Sequence, residues 1–348
     1  MPILFDAPVS PDDATAFARE VPVTLPFSTL FPVETVDDNT YDFSRITRVN
    51  RTARYRTFDG RVHVTERDSG SSARVRLTPL SVASPADGEY DQMQLAFART
   101  GGTAQTALVN AIYNDAEQLV REVRNRVEQG WGDVLADGIL SINENGLQAE
   151  ADYGVPTDHK VNVTGTTNVW TNTAAPILDR LTDWAATYET TNGATPGALR
   201  VTPWALRHMR RNTQLINAVA GAAAGRSQIN LNELQQALDS EGLPLLQVMR
   251  PATLDVDGTP TKTLADDLVM FTPADDDMGL LGATVFGVTS TALDLVNDSR
   301  STLEFEDAAG VVAMVFEEGF PPRKSVFADA VGQPILKDGR RLFVADVA

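Results

Sequence analysis

The chain has 348 residues, 43% of them apolar, with 29 basic against 47 acidic side chains, a net charge of −18 and no cysteine. That apolar share allows a sizeable core, and the length fits about two domains at ~150 residues each. The charge argues against a surface given over as a whole to nucleic acid or membrane. Without cysteine there can be no disulfide, thiolate nucleophile or thiolate metal site.

Residues 1–40 carry six prolines, which break helix and central strand alike, so most of this segment is expected as an extended, weakly self-packed arm. Its opening stretch has no basic region followed by an apolar run, so no secretory leader is expected. Ser10-Pro11-Asp12-Asp13 supplies a cap, an N1 proline and two acids for a short helix to about Glu20. Leu25, Phe27, Leu30, Phe31 and Val33 are apolar anchors that a solvated tail would not need, and they are expected to dock on another surface.

From Tyr41 to Thr78 there are nine arginines (Arg45, Arg48, Arg51, Arg54, Arg56, Arg61, Arg67, Arg74 and Arg76) against four acids, a local charge of +5. The rest of the chain carries 20 basic and 43 acidic groups. Strands are predicted at about Ile46–Phe58 and Val62–Leu77, with Asp59-Gly60 as the hairpin turn and a loop at Asp68–Ser72. Few large apolar residues line these strands, so the hairpin is marginal alone and is expected to project or to lie on a partner. A positive finger on a negative body can attract a second copy of the same chain. Phosphate binding by the arginines is the alternative, although only Tyr55 and Phe58 could stack on bases.

Between Thr103 and about Ser141, Ala104, Leu108, Ile112, Leu119, Val123, Val127 and Val134 fall on one helical face. Asp115, Glu117, Arg121, Glu122, Arg124, Arg126 and Glu128 fill the other, with Glu117/Arg121 and Glu122/Arg126 in the favourable acid-first spacing. Such a helix would be a beam roughly 50 Å long. A break is expected at Gly130-Trp131-Gly132.

Beyond it, Asn145-Gly146 reads as a turn and residues 150–173 as loop and short strand. Helices are predicted at Pro176–Tyr188, Pro203–Asn212 and Asn230–Asp239, the last with a capping box from Asn230 and Glu233. A small-residue segment separates the last two. Strands are predicted at Ala198–Thr202, Leu245–Met249, Leu268–Thr272, Leu280–Thr289, Thr302–Glu306, Val311–Glu317 and Arg340–Asp346. Helices interspersed with antiparallel hairpins give an α+β class.

Chemistry is hard to find in these residues. His63, His159 and His208 lie on separate segments, and there is no HExxH, phosphate-cradling glycine motif or GxSxG elbow. Asp255-Val256-Asp257-Gly258 fails as a calcium loop, because the first and twelfth positions would be Thr253 and Leu264. Asp275-Asp276-Asp277 reads as a solvated loop. No catalytic, cofactor or metal residue is expected, and the weight moves to a structural protein rather than an enzyme.

The segments Asp267–Gly282 and Glu317–Pro334 resemble the lambda-type major capsid protein E family of tailed bacteriophages, and the order of parts agrees over nearly the whole chain. The resemblance implies an HK97-like capsid fold. Residues 1–40 would be the N-terminal arm, 41–95 the extended hairpin loop and 96–174 the peripheral domain with its spine helix. Residues 175–320 would be mainly the axial domain, and 321–348 a return to the peripheral domain. It further implies hexamers and pentamers closing into an icosahedral shell around double-stranded DNA, held without sequence-specific contacts, in a virion assembled in host cytoplasm. Scaffold and portal are the implied partners, with a decoration protein as an optional third; forty proline-rich residues leave no room for a fused scaffold, so scaffolding would be a separate protein or already removed. The nine arginines, with Leu25, Phe27 and Phe31, would be contacts between subunits. Residues 41–78 contain no lysine, so the covalent cross-link of some such shells is not expected. An encapsulin-like compartment shares the implied fold and is the nearest rival; a nucleic-acid-binding module using the arginines of 41–78 comes next.

Overall fold

A computed structural model describes residues 3–5, 7–46, 70–85, 103–221, 225–256, 258–318 and 323–348. It is an α+β molecule in which two sheets each close over their own helices. The predicted beam is a helix at Thr103–Asp137, 35 residues long, which at ~1.5 Å per residue spans about 52 Å. Ala116, Val120, Val123, Val127, Trp131 and Val134 form its buried stripe, the 3.6-residue period made visible.

No break occurs at Gly130 or Gly132, contrary to expectation. A Cβ on Gly132 would stand 1.5 Å from the Thr263 carbonyl oxygen, and one on Gly130 would stand 3.1 Å from the Pro334 ring. Both glycines admit a close neighbour, and the helix runs through them uninterrupted. The helix ends at Gly138, whose φ of 77° suits the left-handed position after a helix and whose N–H reaches the Val134 carbonyl at 2.8 Å.

The first sheet lies against this helix. It runs β1 (Val33–Thr35), β13 (Gly282–Gly287), β15 (Arg323–Leu336) and β14 (Val312–Glu318), with β4 (Pro79–Ala83) also on β15. The β1–β13 pair is parallel and the other pairs are antiparallel. Strand β15 is 14 residues long and mostly buried, yet Gly332 and Pro334 hide it from a sequence reading. Gly332 lets the Phe286 ring approach, since a Cβ there would meet it at 2.5 Å.

The second sheet runs β7 (Lys160–Asn162), β16 (Phe343–Asp346), β12 (Leu268–Thr272), β8 (Ala198–Val201) and β9 (Leu245–Val248). Helices at Ile177–Asn192, Pro203–Met209, Thr213–Ala220 and Leu231–Ser240 build a separate core with it, including Trp184, Leu199, Phe271 and Phe343. The capping box is formed as expected, with Glu233 N on Asn230 Oδ1 and Asn230 N on Glu233 Oε2, both 2.9 Å.

Several local expectations give way to tertiary structure. The predicted helix at 203–212 stops at Met209, and Asn212 starts a second helix by accepting from Leu215 N at 3.2 Å. The predicted strand from Leu280 begins only at Gly282, because Met278–Leu281 is a helical turn. Thr302–Glu306 is not a strand: Phe305–Asp307 forms a 3-10 turn, preceded by an unforeseen helix at Ser290–Asn297. Within 175–320, β13 and β14 belong to the sheet on the long helix. Of the closing segment, β15 joins that sheet while β16 enters the middle of the other.

Three hairpins complete the description. β5 (Ile139–Glu144) and β6 (Leu147–Asp152) meet at Asn145-Gly146, both with positive φ as a type I′ turn requires. β10 (Thr253–Val256) pairs β11 (Thr259–Lys262). β2 (Thr40–Ile46) pairs β3 (Gly70–Arg76).

Candidate interaction surface

The basic hairpin is rooted in the first sheet. Asn39 and Leu77 mark the root: Leu77 N donates to Asn39 O at 2.9 Å, and Val288 N donates to Asn39 Oδ1 at 3.1 Å. Thr78 Oγ1 donates to Gln333 Oε1 at 2.6 Å inside the body. Beyond that root β2 and β3 form, among the described residues, a sheet of two strands. Their register, from Thr40 opposite Arg76 to Ile46 opposite Gly70, is symmetric about position 58, next to the expected turn. The hairpin starts earlier than predicted, and Gly70–Ser72 lie in strand rather than loop.

Arg74 grips Asp42 across the strands, Nε to Oδ1 at 2.7 Å and Nη2 to Oδ2 at 2.8 Å, with both side chains exposed. These bonds hold the Asp42 carboxyl below its ordinary range. Arg76 is exposed and Arg45 lies in β2 opposite Ser71. Arg48, Arg51, Arg54, Arg56, Arg61 and Arg67 lie outside the described residues, as do Asp59-Gly60 and His63.

The arm differs from what its prolines suggested. Ser10 caps a helix at Pro11–Glu20 as predicted, and a second helix follows at Pro26–Leu30. Both pack on the chain's own body. Phe27 and Phe31, expected as contacts between copies, are 0% and 2% exposed within the first core. Phe31 stacks on Trp131 with ring centroids 3.6 Å apart and planes within 3°, and Trp131 Nε1 donates to Thr284 Oγ1 at 2.9 Å. Such rings gain more from a dry pocket in their own fold than from waiting for a neighbour. Leu25 is half-buried just before the second helix.

Polar clasps fix the same segment. Glu128, placed by periodicity on the solvated face, is wholly buried. It accepts from Phe27 N, Ser28 N and Ser28 Oγ, each at 2.8 Å. Burial pushes its carboxyl pKa up, and these three donors offset part of that rise. Arg124 donates to the Val21 carbonyl, and Arg19 donates to the carbonyls of Asp307 (2.6 Å), Val311 (3.4 Å) and Ala309 (3.5 Å). Asp12 accepts from Ser301 Oγ and Thr302 N at 2.6 Å, and from Thr302 Oγ1 at 2.8 Å. A proline-rich stretch gives no local hint of these clasps, since each partner lies far away in sequence.

The remaining titratable groups read as structural. His159 is fully buried with Nδ1 3.0 Å from the Leu342 carbonyl, and burial lowers its pKa, so the neutral ring donates there. His208 packs against Trp204 at 4.2 Å between centroids. Asp275 binds Arg200 Nη2 at 2.6 Å and Gln247 Nε2 at 3.0 Å. Among the described residues no group of three or more His, Asp or Glu is placed to hold a metal ion.

Residues 17–289 match the family model of phage major capsid protein E. A comparison with curated proteins finds no significant match in sequence. Among solved structures, the chain is similar to a prophage protein of Escherichia coli CFT073 assigned as its capsid protein. That pair shares 16% identity and a TM-score of 0.59, over 96% of this chain and 97% of the other. It is also similar to a phage-related protein of Bordetella bronchiseptica RB50, with 14% identity, a TM-score of 0.51 and 96% of both chains covered.

Proposed function

From the premise that this chain belongs to the phage major capsid protein E family, we propose that its basic hairpin is the part that a neighbouring subunit completes. The protein is a shell-forming capsid protein with the HK97-like fold, non-enzymatic, and its place is the virion. What the hairpin does within the shell is the finer reading, and one observation carries it. Past Asn39 and Leu77, β2 and β3 pair only with each other among the described residues, and a two-stranded ribbon is marginal in water. A neighbour's acidic surface would both cover the ribbon and match its arginines, of which Arg45, Arg74 and Arg76 lie on the described strands. The surplus of 43 acids over 20 basic groups outside 41–78 supplies that surface.

The copies would group as hexamers and pentamers of an icosahedral shell around double-stranded DNA. Shell assembly would take place in host cytoplasm, with a separate scaffolding protein, a portal and a decoration protein as partners. An acidic wall suits such a container, because it does not hold the packaged polyanion tightly.

Electron microscopy of the purified chain tests this directly. Closed shells or free capsomers are the expected images, and a monodisperse monomer at high concentration overturns the reading. Particles carrying an enzyme cargo in place of nucleic acid would make the shell a nanocompartment. A steep salt dependence of DNA affinity, abolished by replacing Arg51, Arg54 and Arg56, would assign the hairpin to nucleic acid instead.

A further inference from the structure

Residues 190–232 hold five arginines and no Asp or Glu, in a chain whose net charge is −18. Three of the five are answered within the fold. Arg200 binds Asp275 Oδ1 at 2.6 Å, and Arg226 grips both carboxylate oxygens of Glu233 at 2.9 and 3.1 Å. Arg210 Nε donates to the Ile229 carbonyl at 2.9 Å. Arg207 and Arg211 are exposed, and among the described residues their side chains make no hydrogen bond or ion pair.

The helix at Pro203–Met209 brings these two together. Thr202 caps it by accepting from Ala205 N at 3.2 Å, and Ala205 and Met209 are buried in the second core. Trp204, Arg207, His208 and Arg211 follow at steps of three and four residues, so they share a neighbouring face. Arg211 N donates to His208 O at 3.1 Å, which carries the turn on to Arg211. The half-buried His208 ring lies 4.2 Å from that of Trp204 between centroids. Burial, and then the charges of Arg207 and Arg211, lower the pKa of His208, and no carboxylate acts against them. The negative end of a helix dipole welcomes cations, but its reach is one turn and it does not account for a whole stretch without acids.

We propose that Arg207 and Arg211, beside the Trp204–His208 rings, form a contact for the phosphate backbone of nucleic acid. A guanidinium fork fits a phosphate, and exposed arginines that hold no carboxylate have no ion pair to give up on binding one. The two adjoining rings add the kind of flat surface on which bases stack. One such contact per copy tethers a polyanion at many points while the acidic remainder of each subunit keeps it from lying flat on the wall. The shell-forming reading supplies the polyanion; the binding itself is measured on the unassembled chain.

The test is the affinity of the purified full-length subunit for a short DNA duplex of mixed sequence, followed against salt. In the variant carrying Arg207→Gln and Arg211→Gln, with every hairpin arginine kept, the log–log salt slope should be shallower by about 2. Between about 50 and about 200 mM salt the wild type should therefore lose about tenfold more affinity than this variant. Both proteins should melt alike, since neither arginine is paired. Arg207→Lys with Arg211→Lys keeps the charges and should restore the wild-type slope. An equal slope in wild type and the Gln variant, or a loss that the Lys variant does not restore, overturns the contact. Unchanged DNA binding with more protein needed to form particles also overturns it, and gives the two arginines to a neighbour's acids. A chain that binds DNA through them yet never assembles sinks the shell reading and leaves this contact standing.

Discussion

Two neighbouring stretches, the arm at 7–35 and the hairpin at 40–76, look alike in sequence: both are poor in regular core pattern and both suggest a partner. The structure separates them. The arm drives Phe27 and Phe31 into its own core and ties its backbone to Glu128, Arg124, Arg19 and Asp12. The hairpin, past its root, has its own two strands and the exposed Asp42–Arg74 pair. Large aromatic residues find a dry site wherever the fold offers one, whereas an arginine-rich ribbon cannot make a core at all. The kind of residue left over, rather than the absence of regular structure, distinguishes the segment that folds inward from the one for which a neighbour is proposed.

Substitutions can break this contrast. The largest effect is expected at Trp131→Ala, which removes the ring under Phe31 and should cost about 3–5 kcal/mol, read as a lower urea midpoint of the subunit. Glu128→Ala strips the acceptor from three donors at the second arm helix and should cost about 1–3 kcal/mol in the same assay.

A smaller effect, and one that depends on pH, is expected at Asp12. Burial raises its carboxyl pKa, but the bonds from Ser301 and Thr302 outweigh burial and leave it below the ordinary 3.8. A depressed folded value means these bonds contribute fully above 3.8 and are lost as pH falls through the folded value. The difference in melting temperature between wild type and Asp12→Asn should therefore be constant near neutrality and shrink below about pH 4. Arg74→Gln should leave subunit melting unchanged, because its pair with Asp42 is solvent-exposed. A melting loss at Arg74 as large as that at Glu128 would erase the distinction between the two stretches.

The parts legible in sequence were those set by local chemistry. Ser10-Pro11 opens a helix, Asn230 and Glu233 cap another, and Leu268–Thr272 is a strand to the residue. The parts that escaped were decided by distant partners. Gly130 and Gly132 carry a break signal that the nearness of Thr263 and Pro334 explains differently. Gly332 and Pro334 argue against a central strand, and only the Phe286 ring and the facing β13 make sense of them. Glu128 reads as a surface acid until the arm's backbone amides arrive. Of the nine hairpin arginines, charge counting found the cluster, but only Arg74 has a described partner, and that partner is on its own strand pair.

The late strands β15 and β16 have a temporal meaning. β15 supplies the middle of the sheet on the long helix, and β16 sits between β7 and β12 in the other. A ribosome that has not yet passed Arg323 has made a polypeptide with neither layer closed, and one short of Phe343 still lacks the second. A growing chain short of Phe343 therefore cannot offer its siblings a body with both layers closed.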